Sequence, residues 1–155
     1  MIRNARMEDV KPIYNLLHHF SNKGLLLARS FSSLYDQLRD FHVCVEPQGE
    51  GELIVGVGAL HILWEDLAEI RSLAVDENFQ RKGIGTRLVA ACLAEAETFG
   101  IRRVFTLTYQ PGFFAGLGFT SIDKKELPHK VWSDCINCPK FPDCNEEAMI
   151  WQKQG

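Results

Sequence analysis

Between Val10 and Phe20 the apolar residues Val10, Ile13, Leu16, Leu17 and Phe20 recur three and four positions apart, which predicts a helix from about Glu8 to Phe20 with one face in the core. Ile2 to Arg6 reads as a short edge strand ahead of it. Gly24 ends this region, and Ser30 or Ser32 can N-cap a second helix that carries Leu34, Leu38 and Phe41. The pattern then turns strand-like. Phe41 to Glu46, Leu53 to Leu63 and Ala68 to Val75 predict an antiparallel meander, with the turn-forming Pro47-Gln48-Gly49-Glu50-Gly51 between the first two. After Val75 the helical period returns: Ile84, Leu88, Cys92 and Ala96 lie on one stripe that closes at Gly100. Val104 to Thr108 follows as a strand and Pro111 to Leu117 as a short helix. A strand from Phe119 enters a Pro- and Cys-rich segment, and Ala148 to Lys153 closes the chain as a last strand. No repeat, low-complexity tract or Pro/Gly/Ser linker divides residues 1–155, so one folding unit is expected.

Composition narrows the class. An apolar fraction of 46% and a charged fraction of 24% match an ordinary soluble domain, and nothing approaches the ~18 consecutive apolar residues of a membrane span. Met1 to Arg6 has no basic region followed by an apolar stretch, so a cytoplasmic location is expected. The net charge of −3 gives no global reason to bind nucleic acid and points to a small-molecule partner; a homodimer stays open. Five cysteines without an export signal suggest thiols, metal ligands or packing groups in place of a disulfide framework. Cys44, in an apolar strand, and Cys92, on the apolar helix stripe, read as packing residues and not nucleophiles.

The chemistry-bearing stretch is Gln80-Arg81-Lys82-Gly83-Ile84-Gly85-Thr86. Glycines at 83 and 85 let the backbone come close to a ligand, and the helix that follows aims unpaired N–H groups and its positive dipole end at the same place. An anion fits there. Together with Glu69-Ile70-Arg71-Ser72-Leu73-Ala74-Val75 just upstream, this turn resembles the acetyl-CoA motif of the Gcn5-related N-acetyltransferase (GNAT) superfamily, in which Gln or Arg, two residues, Gly, one residue and Gly or Ala follow a strand and open a helix. The resemblance implies an α/β (α+β) fold: a mixed, mostly antiparallel twisted sheet, splayed at the acetyl-CoA strand, with helices on both faces. It also implies that residues 80–86 hold the CoA pyrophosphate and that backbone groups of Leu73, Ala74 and Val75 pair with pantetheine. Phe113-Phe114-Ala115-Gly116-Leu117-Gly118-Phe119 resembles a later motif of the same superfamily, with one departure. Many relatives carry Tyr where Phe114 stands, and Phe has no proton for the departing thiolate. Tyr109 is the candidate substitute, against a packing role.

Amine attack on a thioester needs a proton acceptor, because a free amino acid's amine is mostly protonated near neutral pH. Glu69 stands where several superfamily members keep a catalytic glutamate, and is the candidate base, acting through water. Strand alternation is expected to place Glu69, Arg71, Leu73 and Val75 on one face. The alternative for Glu69 is a structural ion pair with Arg71. Four further segments, Lys23 to Ser30, Asp40-Phe41, Phe105 to Thr108 and Leu127 to Lys130, are similar to the acetyltransferase domain of N-acetylglutamate synthases. The chain has no room for the amino-acid-kinase domain of the longer synthases, so it resembles the short form. That resemblance implies L-glutamate as acceptor and the first step of arginine biosynthesis. Glutamate's two carboxylates suit arginine forks and a lysine point charge, making Arg29 with Ser30, Arg71 and Lys130 the candidate acceptor site.

Cys135, Cys138 and Cys144 are spaced Cys-x2-Cys and Cys-x5-Cys, which fits a structural zinc knuckle as well as it fits a loop packed by reduced thiols. The enzyme reading, acetyl transfer to glutamate, competes with transfer to glutamine, another small amine or a protein N-terminus. A reading of another class is an acyl-CoA-binding sensor without turnover.

Overall fold

The computed structural model describes residues 1–127 and 146–154. Seven strands form one sheet: β1 Ile2–Asn4, β2 Phe41–Gln48, β3 Gly51–Trp64, β4 Leu67–Val75, β5 Arg103–Thr108, β6 Thr120–Ser121 and β7 Glu147–Gln152, in the order β1-β2-β3-β4-β5-β7-β6. Every neighbouring pair is antiparallel except β4 with β5. The helices are α1 Val10–Asn22, α2 Phe31–Asp36, α3 Ile84–Thr98 and α4 Pro111–Ala115.

Two apolar layers sandwich the sheet. On one face Val10, Ile13 and Leu17 of α1 and Leu34 of α2 meet Val43, Val57 and Ala59. On the other face Val89, Cys92 and Ala96 of α3 meet Leu60, Ala68 and Ile70 of the strands, and Leu88 meets Cys44 and Val55. The α3 stripe therefore buries the residues that its period predicts, and helices do lie on both faces. Burying a side chain of this kind contributes about 1.5–3 kcal/mol each before the conformational entropy of folding is set against it. Among the described residues no helix is long and apolar enough to cross a membrane.

Several boundaries differ from the pattern, each for a local reason. The stretch Met7–Asp9 forms a single 3-10 turn, with α1 beginning at Val10. α2 stops at Asp36 because Gln37 leaves helical geometry (φ −111°, ψ 21°), and Leu38 falls in a second 3-10 turn. Phe41 is not the end of a helix: it opens β2, pairs with Ala59 and is fully buried. Gln48 and Gly51 pair directly, so the β2–β3 turn is only Gly49-Glu50, with Gly49 at φ +59° as such a tight hairpin turn requires.

Candidate active site

The parallel strands β4 and β5 share only two register pairs, Ala68 with Val104 and Glu69 with Phe105. Beyond them the strands part. β5 is held on its far side by six pairs with β7, while β4 continues along β3 to Val75. At the fork the buried Thr106 hydroxyl donates to the Ile70 carbonyl at 2.8 Å, bridging the strands where backbone pairing ends. The wedge opens into a cleft of about 520 Å³ whose walls include Arg71 to Val75 of β4, Thr106 to Tyr109 at the end of β5, and the loop into α3. The splay expected of the fold is thus at the expected strand.

Strand alternation fails inside the cleft wall. Arg71 pairs with Ala59 and Ala74 with Val57, so three steps along β4 match two along β3. This is a β-bulge, and Ser72 carries it at φ +56°, a left-handed conformation costly for a residue with a Cβ. Ala74 consequently packs in the layer of α1 and α2 that also holds Ala59, whereas Leu73 and Val75 pack toward Ile84 and Leu88 of α3. Glu69 and Arg71 therefore do not share a face with Leu73 and Val75, contrary to simple alternation. The bulge also lies in the segment whose backbone borders the cleft.

The glycine loop that leads into α3 is pinned at both ends. Gln80 donates through Nε2 to the Val75 carbonyl at 3.0 Å, tying the loop to the end of β4 and occupying one of the backbone groups there. Gly83 is the N-cap of α3 at φ +80°, where any other residue would be strained although nothing crowds it. Gly85 sits close to a neighbour: an added Cβ would lie 3.3 Å from the Phe113 ring, which would have to shift slightly to admit it. Helix geometry leaves the N–H groups of Ile84, Gly85 and Thr86 without acceptors inside α3, and Arg87 makes the first helical bond, to the Gly83 carbonyl. Arg81, at φ +65°, lines the cleft, while the Lys82 ammonium lies 5.1 Å from the Phe79 ring centroid. A diphosphate can be held here by peptide N–H donors, the α3 dipole and the adjacent basic side chains.

Beside the β4 wall the arginines predicted from separate segments come together. Arg29 donates through Nε to Ser33 Oγ (3.0 Å), through Nη1 to Ser72 Oγ (3.3 Å), and through Nη2 to Gln37 Oε1. Arg71 donates to the same Gln37 oxygen at 2.7 Å, and its other terminal nitrogen lies 3.6 Å from Glu69 Oε1. Arg71 lines the cleft; Glu69 is 7% exposed and is not part of the lining. Ser30 is exposed and acts as the N-cap of α2, its hydroxyl accepting from the Ser33 N–H at 3.1 Å. It thereby fixes the turn from which Arg29 and Ser33 project.

Tyr109 lines the cleft at the end of β5. Phe114 is buried, edge-on to both Phe113 and Phe119. Cys44 and Cys92 are buried free thiols, and burial, with the Glu95 carboxylate adding to it, pushes Cys92 up to about 12. Burial keeps both thiols away from a substrate in the cleft. Lys130, Cys135, Cys138 and Cys144 lie outside the described residues. Sequence reasoning passed over Gln37, Ser72 and Thr106 as site residues. Thr106 was within reach as part of a matching segment, but a lone Gln on a short helix end carries no signal of its own.

The Acetyltransferase (GNAT) family model matches residues 10–119. The chain belongs to the GNAT acetyltransferase family. A relative from Chlorobaculum tepidum, described as an uncharacterized N-acetyltransferase, is 40% identical over 149 residues, covering 96% of this chain and 94% of that protein. An amino-acid acetyltransferase of Mycobacterium tuberculosis is 38% identical over 134 residues, 86% of this chain and 76% of that protein. Among solved structures, Rv2747 of Mycobacterium tuberculosis, in complex with CoA and a further ligand, superposes with a TM-score of 0.84 at 34% identity over 99% of both chains. N-acetylglutamate synthase of Neisseria gonorrhoeae, complexed with coenzyme A and N-acetyl-glutamate, superposes with a TM-score of 0.88 at 29% identity, covering 100% of this chain and 35% of that one. The GNAT fold, with its mixed sheet parted at β4, is therefore common to this chain and to proteins that hold CoA.

Proposed function

We propose that this acetyltransferase transfers the acetyl group of acetyl-CoA to the α-amine of L-glutamate, by direct attack in a ternary complex. The observation that carries the reading is the convergence of Arg29 and Arg71, 42 residues apart by their own numbering, on the single Gln37 oxygen beside a cleft whose far end is an anion-binding helix start. A helix start open to a diphosphate at one end, and Arg71 in the wall with Arg29 behind Ser72 beside it, suit a donor with a phosphorylated tail and an acceptor with carboxylates. The names of the amino-acid acetyltransferases similar to this chain support the same acceptor class.

In this reaction the ammonium form of glutamate first loses a proton. Glu69 takes it through a water, with the Arg71 guanidinium 3.6 Å from its carboxylate. The neutral amine attacks the thioester carbonyl, and peptide N–H groups of the β4 bulge stabilise the developing oxyanion. Attack forms the C–N bond; collapse of the adduct breaks the C–S bond, and the second proton lost by the nitrogen ends on the CoA sulfur, either through water or through Tyr109, which gives its own proton to the thiolate and takes the nitrogen's in return. Cysteine-linked transfer is unnecessary, and Cys44 and Cys92 are too buried to provide it. The same assignment would place the protein in the cytoplasm, at the entry to arginine biosynthesis.

The test is CoA release from acetyl-CoA across a panel of amino acids that includes glutamate and glutamine. Highest kcat/KM with glutamate is the expected result. A preference for glutamine or a non-acidic amine would overturn the acceptor, and tight acetyl-CoA binding without any release would favour a sensor.

A further inference from the structure

Ser72 holds a conformation that serine does not favour. Its φ of +56° lies in the left-handed region, where a Cβ is disfavoured and glycine is not. For a similar backbone at the start of α3 the chain uses Gly83, at φ +80°. Glycine would suit the β4 bulge as well, so what serine adds there is its hydroxyl. That hydroxyl accepts from Arg29 Nη1 at 3.3 Å. Arg29 comes from the segment ahead of α2, and two further acceptors of its guanidinium, Ser33 and Gln37, stand on α2 and at its end. Its Cζ lies 5.6 Å from the centroid of the Phe41 ring on β2. Ser72 stands on β4, in the wall of the cleft. The hydroxyl therefore ties a guanidinium held by α2 to the strand that borders the cleft.

The bulge is what makes the tie possible. Consecutive residues of a regular strand point to opposite faces, so Arg71 and Ser72 would part company. Here both reach one cluster: Arg71 donates to Gln37, and Ser72 accepts from Arg29, which donates to Gln37 as well. A bulge re-aims a side chain in this way, and a strained residue at such a place is held by its surroundings. An arginine left loose would also have to lose its rotamer freedom when a ligand binds, which weakens the complex. We propose that the Ser72 hydroxyl is a positioning group for acceptor recognition. It fixes the Arg29 guanidinium against the β4 bulge, so that the fork meant for the acceptor's carboxylate keeps one spacing from the bulge's peptide N–H groups, which serve the oxyanion in the proposed reaction. The inference rests on that reading, in which Arg29 binds the acceptor, and Ser72 acts through Arg29.

The experiment compares the kinetics and thermal unfolding of full-length S72G, S72A, R29A and the double variant S72G/R29A with the parent, using acetyl-CoA and the amino acid that proves the best acceptor. Glycine suits the left-handed backbone, so the unfolding midpoint of S72G is no lower than the parent's. Its acceptor KM nevertheless rises about fivefold, the worth of one ordinary hydrogen bond, while the acetyl-CoA KM stays unchanged and kcat moves less than the acceptor KM. S72A, which keeps the Cβ and loses only the hydroxyl, shows the same rise. In the R29A background S72G lowers the acceptor kcat/KM no further, because no guanidinium remains to be held. An unchanged acceptor KM in S72G overturns the proposal. So does a rise in S72G that S72A lacks, which would trace to backbone freedom, or an equal fall with and without Arg29. Should S72A not fold, S72G and its pairing with R29A carry the test. R29A separates the two ideas: an unchanged acceptor KM there removes the acceptor reading and the tether together, whereas a raised one beside a normal S72G removes only the tether.

Discussion

Two arginine clusters in this protein do different things with similar parts. Arg3 on β1 grips Asp9 bidentately, at 2.7 and 3.1 Å, and reaches Glu52 at 3.2 Å; Asp9 also accepts the Arg6 N–H at 2.7 Å. The charges there are matched inside the fold, at the turn that leads into α1. Arg29 instead donates to three neutral oxygens, those of Ser33, Ser72 and Gln37, and Arg71 shares the last of them. One amide oxygen thus orients two guanidiniums, and Arg71 also lies 3.6 Å from the Glu69 carboxylate. Under the proposed function this shared oxygen aims both arginines at the acceptor, whereas Arg3 is held by carboxylates of the fold itself.

The comparison can be broken experimentally, beginning where the largest effect is expected. Glu69→Gln should lower kcat by roughly 10²–10⁴-fold with the fold intact by circular dichroism, and an unchanged acetylation rate across pH would return Glu69 to a purely structural ion pair. Asp9→Ala should cost about 3–5 kcal/mol in urea unfolding, because it leaves Arg3 buried without its bidentate partner, while KM values of the folded enzyme stay as they were. Loss of activity without loss of stability would show that the first cluster is not merely structural. Arg29→Ala should raise the glutamate KM about 30-fold, the equivalent of ~2 kcal/mol for a charge-assisted hydrogen bond, and leave the acetyl-CoA KM alone. Equal effects on both would dissolve the distinction between the clusters.

The smallest effect is in pH. Burial by itself would raise the Asp9 carboxyl, but hydrogen bonds from Arg3 and the Arg6 backbone outweigh it and hold the carboxyl below its ordinary value. A group depressed on folding adds stability that is complete above its unfolded value, about 3.9, and disappears as pH falls through its folded one. Asp9→Asn should therefore flatten the acid limb of the stability curve below about pH 4 and leave its neutral shape unchanged. A limb identical to the parent's would mean that the pair contributes nothing on protonation.

Some of this could be read from the chain in one dimension and some could not. The α3 stripe of Ile84, Leu88, Cys92 and Ala96 is buried as its period demands, and the glycines at 83 and 85 serve the left-handed cap and the close approach that such a loop needs. These features are local: period, φ preference and helix start are properties of consecutive residues. Arg29 and Arg71 could be nominated by the company they keep in matching segments, but nothing in either segment said that they would meet.

Where the sequence alone was decisive, the order of strands and helices and the glycine turn that opens α3, neighbouring residues carry the full physical cause. The bulge at Ser72 was settled only in three dimensions, because a left-handed serine survives where β3 on one side and the Arg29 guanidinium on the other hold it in place. Gln37 likewise owes its part to two arginines, one eight residues before it and one thirty-four after. Contacts between such distant positions follow from how the elements pack, and no residue-by-residue pattern encodes them.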